Sequence, residues 1–310
     1  MMLWPQARLS ILIYHRVLPQ PDPLFPDAVD ARVFDRHLRL LKRFFNVIPL
    51  LQATQQLHSR SLPPRAACIT FDDGYADNAT VALPMLQRHG LSACFFIATG
   101  YLDGGQMWND SVIERVRHAG GAELDLSACG LGRFPIGSAA LKSKAIGAIL
   151  ARIKYLQFEQ RQTLLARICE SVIDPAPQDL MMKTGQVMAL HRAGMEIGAH
   201  TVSHPILATM PEHAARAEIA NSKCQLEGIV KARVRLFAYP NGKPGQDYGQ
   251  CHVGIVKDLG FDAAVATHWG AAQYGSDPFQ LPRFTPWDRS RLRFLLRLRQ
   301  NMFTPIDQAD

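Results

Sequence analysis

The stretch Cys68-Ile69-Thr70-Phe71-Asp72-Asp73-Gly74-Tyr75 decides the fold. A short apolar, partly β-branched run from Ala66 to Thr70 ends abruptly in two adjacent carboxylates and a glycine. The run reads as a buried strand, and Asp-Asp-Gly as the turn where it surfaces. Neighbouring carboxylates repel, so a purely structural turn gains little from the second. A site that binds a cation through one carboxylate and uses the other as a base needs both. The plainer reading is an Asx turn followed by a helix N-cap, and this stretch alone does not separate the two.

A second stretch, Glu196-Ile197-Gly198-Ala199-His200-Thr201-Val202-Ser203-His204-Pro205, again runs from a short strand into a polar turn. Its two histidines are four residues apart. On a helical turn that spacing puts both imidazoles on one face, where they can grip a single metal ion. Two solvated turn histidines are the ordinary alternative. A carboxylate from one strand end plus two histidines from another, with positions left for water, make an open catalytic metal site.

Outward from these two stretches the chain alternates strand and helix. Apolar spacing predicts strands over residues 9–14, 46–48, 66–70, 92–99, 234–238, 263–267 and 279–284. It predicts helices over 33–45, 51–57, 78–89, 211–229, 249–259 and 288–302. That alternation argues for a parallel sheet with helical crossovers. Between Tyr101 and Gly194 the pattern changes to a helix over 108–118, a polar hairpin over 123–135, amphipathic helix over 139–173 broken near 154–159, and a helix over 184–193. We read residues 101–194 as a helical insertion within one domain spanning 1–310.

Composition agrees. The 310 residues are 47% hydrophobic and 20% charged, which suits one large α/β barrel domain. No apolar run reaches the roughly 20 residues needed to cross a bilayer. Leu9–Tyr14 is too short for a leader and runs into His15-Arg16, so a cytoplasmic protein is expected. Cys68, Cys94, Cys129, Cys169, Cys224 and Cys251 form no Cys-x-x-Cys pair, which fits a reducing compartment. The formal charge of +7 suits an anionic glycan, a nucleotide-linked or lipid-linked phosphate, or a membrane surface. No nucleic-acid-binding motif accompanies it. The last helix mixes Leu292, Phe294, Leu295, Leu296 and Leu298 with Arg289, Arg291, Arg293, Arg297 and Arg299. It is expected to pack an apolar stripe on the barrel with its arginines solvated; the alternative is a helix lying on a membrane surface.

Thr70-Phe71-Asp72-Asp73-Gly74-Tyr75 and His200-Thr201-Val202-Ser203-His204 together resemble the first two motifs of polysaccharide deacetylases of the NodB-homology type, carbohydrate esterase family 4. Phe237-Ala238-Tyr239-Pro240-Asn241-Gly242 is similar to the third, and the resemblance runs from about Leu9 to about Arg283. It implies a distorted (β/α) barrel of seven to eight strands, and Asp73, His200 and His204 as ligands of a divalent metal, most often zinc. It also implies Asp72 as general base and the Tyr75 backbone N–H as an oxyanion donor. The implied reaction removes N-acetyl groups from an amino-sugar-containing polysaccharide, oligosaccharide or glycan precursor. The alternatives are hydrolysis of another non-peptide amide, such as a formamido group, and a non-catalytic glycan-binding relative.

The departures from the family pattern matter. Ala238 stands where the third motif carries the arginine that orients the base. Leu281-Pro282-Arg283-Phe284 stands where a fifth motif supplies a histidine acid. His15, in Tyr14-His15-Arg16-Val17, resembles the Tyr-His-x-Val opening of the poly-N-acetylglucosamine deacetylase branch and is the candidate acid. His268 is the second candidate, and Arg283 is a candidate to orient a carboxylate bidentately. Trp108, Asp110 and Tyr239 are candidates to contact the sugar. A half-buried tryptophan beside a helix N-terminal acid is the alternative for the first two.

Overall fold

The computed structural model describes residues 8–171, 179–304, 306, 308 and 309. The first strand, β1 (Arg8–Tyr14), is buried along nearly its whole length. It leads through the proline-rich loop to α1 (Ala31–Phe44), whose N-cap Asp30 accepts from the Arg32 and Val33 amides. β2 (Asn46–Val47), α2 (Leu50–His58) and the fully buried β3 (Ala66–Phe71) follow. The helix expected over 78–89 is divided. Residues Asn78–Ala82 form a wide turn in which Leu83 N–H reaches back to Asn78 O, and only Leu83–His89 (α3) is α-helical. Pro84 is the physical reason: it has no N–H to donate and its ring crowds the preceding turn. Gly90 then closes α3 in the left-handed conformation.

After β4 (Cys94–Ile97) come α4 (Trp108–His118), the hairpin of β5 (Glu123–Leu126) and β6 (Gly132–Pro135), α5 (Ala139–Ile153) and α6 (Phe158–Ser171). The break expected between the last two lies where it was predicted; Val172 and Ile173, at the end of that expected helix, lie outside the described residues. These elements enclose a core of their own, built on Trp108, Val112, Ile146, Ile149 and Ile168. The chain returns through α7 (Thr184–Arg192), β7 (Glu196–Ala199), α8 (Glu212–Val230), β8 (Leu236–Ala238), α9 (Gln250–Asp258), β9 (Ala263–Val265), β10 (Ala272–Gln273) and α10 (Arg291–Asn301).

The main sheet has the order β10-β1-β3-β4-β7-β8-β9, with β2 beside the start of β3. All pairs are parallel except β1 with β10, an edge pair the sequence did not suggest. The strand expected over 279–284 is not one. Pro282 cannot donate to a ladder, so the segment makes only isolated bridges, Val265 with Leu281 and Leu12 with Phe284. Those bridges tie β9 to β1 and curl the sheet into a distorted barrel. Leu9, Ile11, Cys68, Cys94, Phe96 and Val265 fill its interior. Leu12, Phe34, Phe71, Phe95 and Phe237 pack the helices against its outside. A Cβ at Gly198 would come within 2.3 Å of the Phe96 ring, so this layer requires glycine there.

Because the strands run one way, their carboxyl ends gather at one mouth of the barrel. Among the described residues no helix is long and apolar enough to cross a membrane. α10 buries Phe294 and Leu298 as expected, but Leu292 and Leu296 are 63% and 43% exposed, so its leucines do not form one buried stripe. They stand about 200° around the helix from Phe294 and Leu298.

Candidate metal centre

Beyond β3 the backbone turns sharply. Asp72 N–H donates to Tyr14 O at 2.9 Å, and Asp73 (φ 74°) and Gly74 (φ 89°) both take the left-handed conformation. Aspartate tolerates that region better than most residues; glycine has no penalty there. The turn throws the Asp73 side chain into the barrel mouth. Beyond β7, Thr201 (φ 63°) and His204 (φ 51°) are left-handed as well. The helical turn inferred from the His-x-x-x-His spacing is therefore absent. A tight loop brings the two rings together instead, with centroids 4.8 Å apart. Thr201 Oγ1 accepts from the His204 amide at 3.1 Å and fixes the loop from within. From outside, the Glu218 carboxylate on α8 accepts from the amides of Val202 and Ser203 and the hydroxyl of Ser203, each at 2.8 Å.

Asp73 Oδ1 stands 3.4 Å from His200 Nε2 and 3.3 Å from His204 Nε2. Asp73, His200 and His204 offer ligand atoms that all lie within 4.8 Å of one another. An ion bound tetrahedrally at 2.0–2.1 Å holds its ligand atoms about 3.4 Å apart, so two of the three edges already have that length. His200 Nδ1 meets the Ala238 carbonyl at 2.8 Å; that oxygen can only accept, so Nδ1 carries a proton and Nε2 is the atom turned to the centre. Burial works to lower the His200 pKa, but the Asp72 and Asp73 carboxylates outweigh it and raise it, so a bound cation would take the place of a proton on Nε2. Asp73 Oδ1 is buried without a hydrogen-bond donor. An orphaned carboxylate oxygen facing two imidazole nitrogens fits a divalent cation.

Asp72 is the spare carboxylate. Its oxygens accept from Arg283 Nη1 and Nη2, both at 2.7 Å, while Arg283 Nε donates to Ala266 O at 2.7 Å. Both side chains are buried, and Asp72 Oδ2 is 3.9 Å from His200 Nε2. Burial works to raise the Asp72 pKa, but the Arg283 charge and hydrogen bonds, with His200 and His15, outweigh it and hold the carboxyl below its ordinary range. Asp73 is likewise held low: burial opposes this, and His200, His204 and His15 prevail. Desolvation lowers His204 to about 4, which keeps that ring neutral.

Two cavities meet at this centre. One, of about 310 Å³, is lined by His15, Asp72, Asp73, His200, His204 and Asn241 and roofed by Trp108, Leu150, Ala151 and Lys154. Part of the roof thus comes from α4 and α5. The other, of about 510 Å³, shares His15, Asp73 and Asn109 and extends past Tyr75, Asp110 and Arg16 to Phe25, Pro286 and Trp287. His15 is exposed where the two join. The bridge between Tyr75 and Met181 is made by the Ala76 and Met182 amides, so it does not consume the Tyr75 N–H.

Three candidates sit differently from expectation. Tyr239 is fully buried, stacked on Tyr248 at 3.8 Å, and lines neither cavity. His268 is buried outside both cavities, and its carbonyl accepts from Arg283 N–H. Trp108 lines the roof but is only 8% exposed, and the Arg161 guanidinium lies over one face of its ring, 4.9 Å from the centroid. Asp110 does line the larger cavity. It is 3% exposed, and its Oδ2 has no hydrogen-bond partner. Burial pushes its pKa up to about 7 against the opposing effects of Arg16 and Tyr75. Glu218 and Trp287 escaped the sequence reading; neither lies in a motif.

Comparison with known proteins is consistent with this geometry. The polysaccharide deacetylase family pattern matches residues 59–126 and 155–264, and the chain belongs to that family of hydrolases acting on N-acetyl amide bonds. YxkH of Bacillus subtilis (strain 168) is 21% identical over 279 residues, 89% of this chain and 71% of its own length. Among solved structures, the Streptococcus pyogenes deacetylase PplD, in complex with acetate, superposes with a TM-score of 0.64 at 19% identity, covering 95% of this chain and 99% of its own. IcaB from Ammonifex degensii gives 0.62 at 18% identity, covering 97% and 99%. Both share the fold.

Proposed function

We propose that this protein is a metal-dependent N-deacetylase that releases acetate from an N-acetylated amino sugar in a glycan or glycan precursor. The observation that carries the reading is the orphaned Asp73 Oδ1, 3.3–3.4 Å from two imidazole nitrogens, beside a second carboxylate gripped by arginine.

Asp73, His200 and His204 would hold the cation, with zinc the expected occupant for one carboxylate and two imidazoles. When bound, the ion supplies Lewis acidity toward water and the amide carbonyl. The chain does the rest. Asp72, kept ionised by Arg283, takes a proton from the attacking water. The oxygen of that water bonds to the acetamido carbon, and the Tyr75 N–H is available to the carbonyl oxygen as negative charge develops on it. His15, at the join of the two cavities, gives a proton to the sugar nitrogen as the C–N bond breaks. Acetate and a free amine leave. Residues 1–310 are read as one domain in which 101–194 is an insertion that contributes to the roof. The free cysteines support a cytoplasmic setting.

The test is release of acetate against formate from acylated amino-sugar oligomers, with bound metal measured in the same samples. Asp72→Asn and His15→Ala are expected to lose at least about a hundredfold in kcat while retaining the metal. Full activity in His15→Ala would remove it as the acid. Stoichiometric metal with no turnover by the wild type on any substrate would favour the glycan-binding relative, and formate release the other amide hydrolase.

A further inference from the structure

The seven large apolar side chains exposed among the described residues are not scattered: Trp287, Leu292, Leu296 and Phe303 fall within one short segment. α10 is anchored by Phe294 and Leu298, with the His37 ring stacked on Phe294 at 4.3 Å. That fixes the rotation of the helix, and Leu292 and Leu296, four residues apart, share its outward face. Phe303 follows just past the helix end, 55% exposed. Scattered single apolar residues need no explanation, but a contiguous group does.

The surroundings say what covers it. Arg32, Arg36, Arg39 and Arg43 recur along one face of α1, and with Arg291 of α10 they line a depression of about 300 Å³. Its one carboxylate, Asp35, is spent on Arg39 and on His89 at 2.8 Å. Arg32, Arg36, Arg43, Arg291 and Arg293 have no ion-pair partner among the described residues. The basic face of α1 therefore meets α10 at Arg291, the residue before Leu292, about 100° around the helix from the apolar face. A second copy meeting this face about a two-fold axis would set arginine against arginine. A polyanion without apolar groups would leave Leu292, Leu296 and Phe303 in water. A bilayer bearing anionic headgroups satisfies both, with apolar side chains at the acyl boundary and guanidinium groups on phosphate.

We propose that the outward face of α10, with Trp287, Phe303 and the arginines of α1, docks the protein on an anionic lipid surface. Trp287 also walls the larger cavity beside His15, so docking presents the cavity mouth to the headgroup layer. Delivery of a lipid-attached glycan through that mouth rests on the deacetylase reading; the docking itself does not.

The test is co-sedimentation of the full chain with extruded vesicles of phosphatidylcholine alone or equimolar with phosphatidylglycerol, at low and high salt. The wild type is expected to bind the anionic vesicles at least about tenfold more tightly, with the advantage lost in high salt. Leu292→Ser/Leu296→Ser and Arg291→Gln/Arg293→Gln are each expected to weaken binding about tenfold or more. Both should keep the wild-type melting temperature and the wild-type rate on a soluble acetylated amino sugar, so that loss of docking is separable from loss of chemistry. Equal binding to both vesicle types, no binding to either, or variants that bind like the wild type would overturn the proposal. So would a concentration-dependent dimer abolished by Leu292→Ser/Leu296→Ser, which would put a second copy on this face.

Discussion

Arg283 grips both oxygens of Asp72 at 2.7 Å, across 211 residues of sequence, and neither side chain has meaningful contact with solvent. Two buried opposite charges in bidentate contact keep Asp72 ionised where burial alone would protonate it. The same contact holds Asp72 Oδ2 at 3.9 Å from His200 Nε2. In the deacetylase reading it would take the part left open by Ala238, from the segment that follows β9, the strand beside β8.

Replacing Arg283 tests that pairing. Arg283→Lys keeps a positive charge but loses the fork that meets both oxygens. The Asp72 pKa should rise, so the ascending acid limb of the kcat/KM profile should move to higher pH. Arg283→Met leaves a buried carboxylate unpaired and should destabilise the fold by about 3–5 kcal/mol unless Asp72 becomes protonated. An unmoved acid limb in Arg283→Lys would mean that Arg283 does not tune Asp72.

The orphaned Asp73 oxygen makes a thermodynamic prediction. A ligand that binds only the folded chain adds about 2.7 kcal/mol at a hundred times its Kd. Zinc at that level should raise the melting temperature of the wild type and leave Asp73→Asn unmoved. Chelation should return the wild type to its metal-free melting temperature without unfolding it, because the three main hydrophobic cores are built from residues outside the site. Equal shifts in wild type and Asp73→Asn would place the ion elsewhere.

The Glu218 carboxylate should matter for metal affinity although it touches no candidate ligand. It is one of the few groups pinning residues 202–203, and His204 follows directly. Glu218→Ala should weaken zinc binding roughly 10–100-fold, measured by competition with a chromophoric chelator, in line with the effect of groups that orient ligands. Glu218→Gln, which keeps an acceptor, should fall between.

How legible this was in the sequence differs from residue to residue. Asp72, Asp73, His200 and His204 announce themselves because strand-to-turn transitions are written locally, in apolar runs that stop at polar residues. The helical turn between the histidines was misread because spacing alone does not report φ, and two left-handed residues give a loop of the same length. Strand-end position placed Tyr239 and His268 near the mouth, but successive residues face opposite sides of a sheet, and both ended in packing. Glu218 gives no local cue: its role depends on a loop that α8 meets only in three dimensions. The exposure of Leu292 and Leu296 was legible in principle. Their 200° offset from Phe294 and Leu298 follows from helical geometry, but composition obscured it.

Asp110 carries the clearest dependence on pH. Its folded pKa, about 7, lies above the ordinary value of 3.8, and burial is the leading cause. Between those values the folded chain holds one more proton than the unfolded chain, so stability falls as pH rises. The contribution is fully present below about pH 4 and lost as pH passes through about 7. A difference of about 3 pKa units corresponds to roughly 4 kcal/mol at most. Asp110→Asn removes the titration while keeping shape and polarity. The stability of Asp110→Asn relative to wild type should therefore climb between pH 4 and 7 and level off above. Denaturant titrations in chelator, so that metal affinity does not vary with pH, measure the difference directly. A flat difference across that range would mean that Asp110 titrates normally, with water reaching its unpartnered oxygen through the larger cavity.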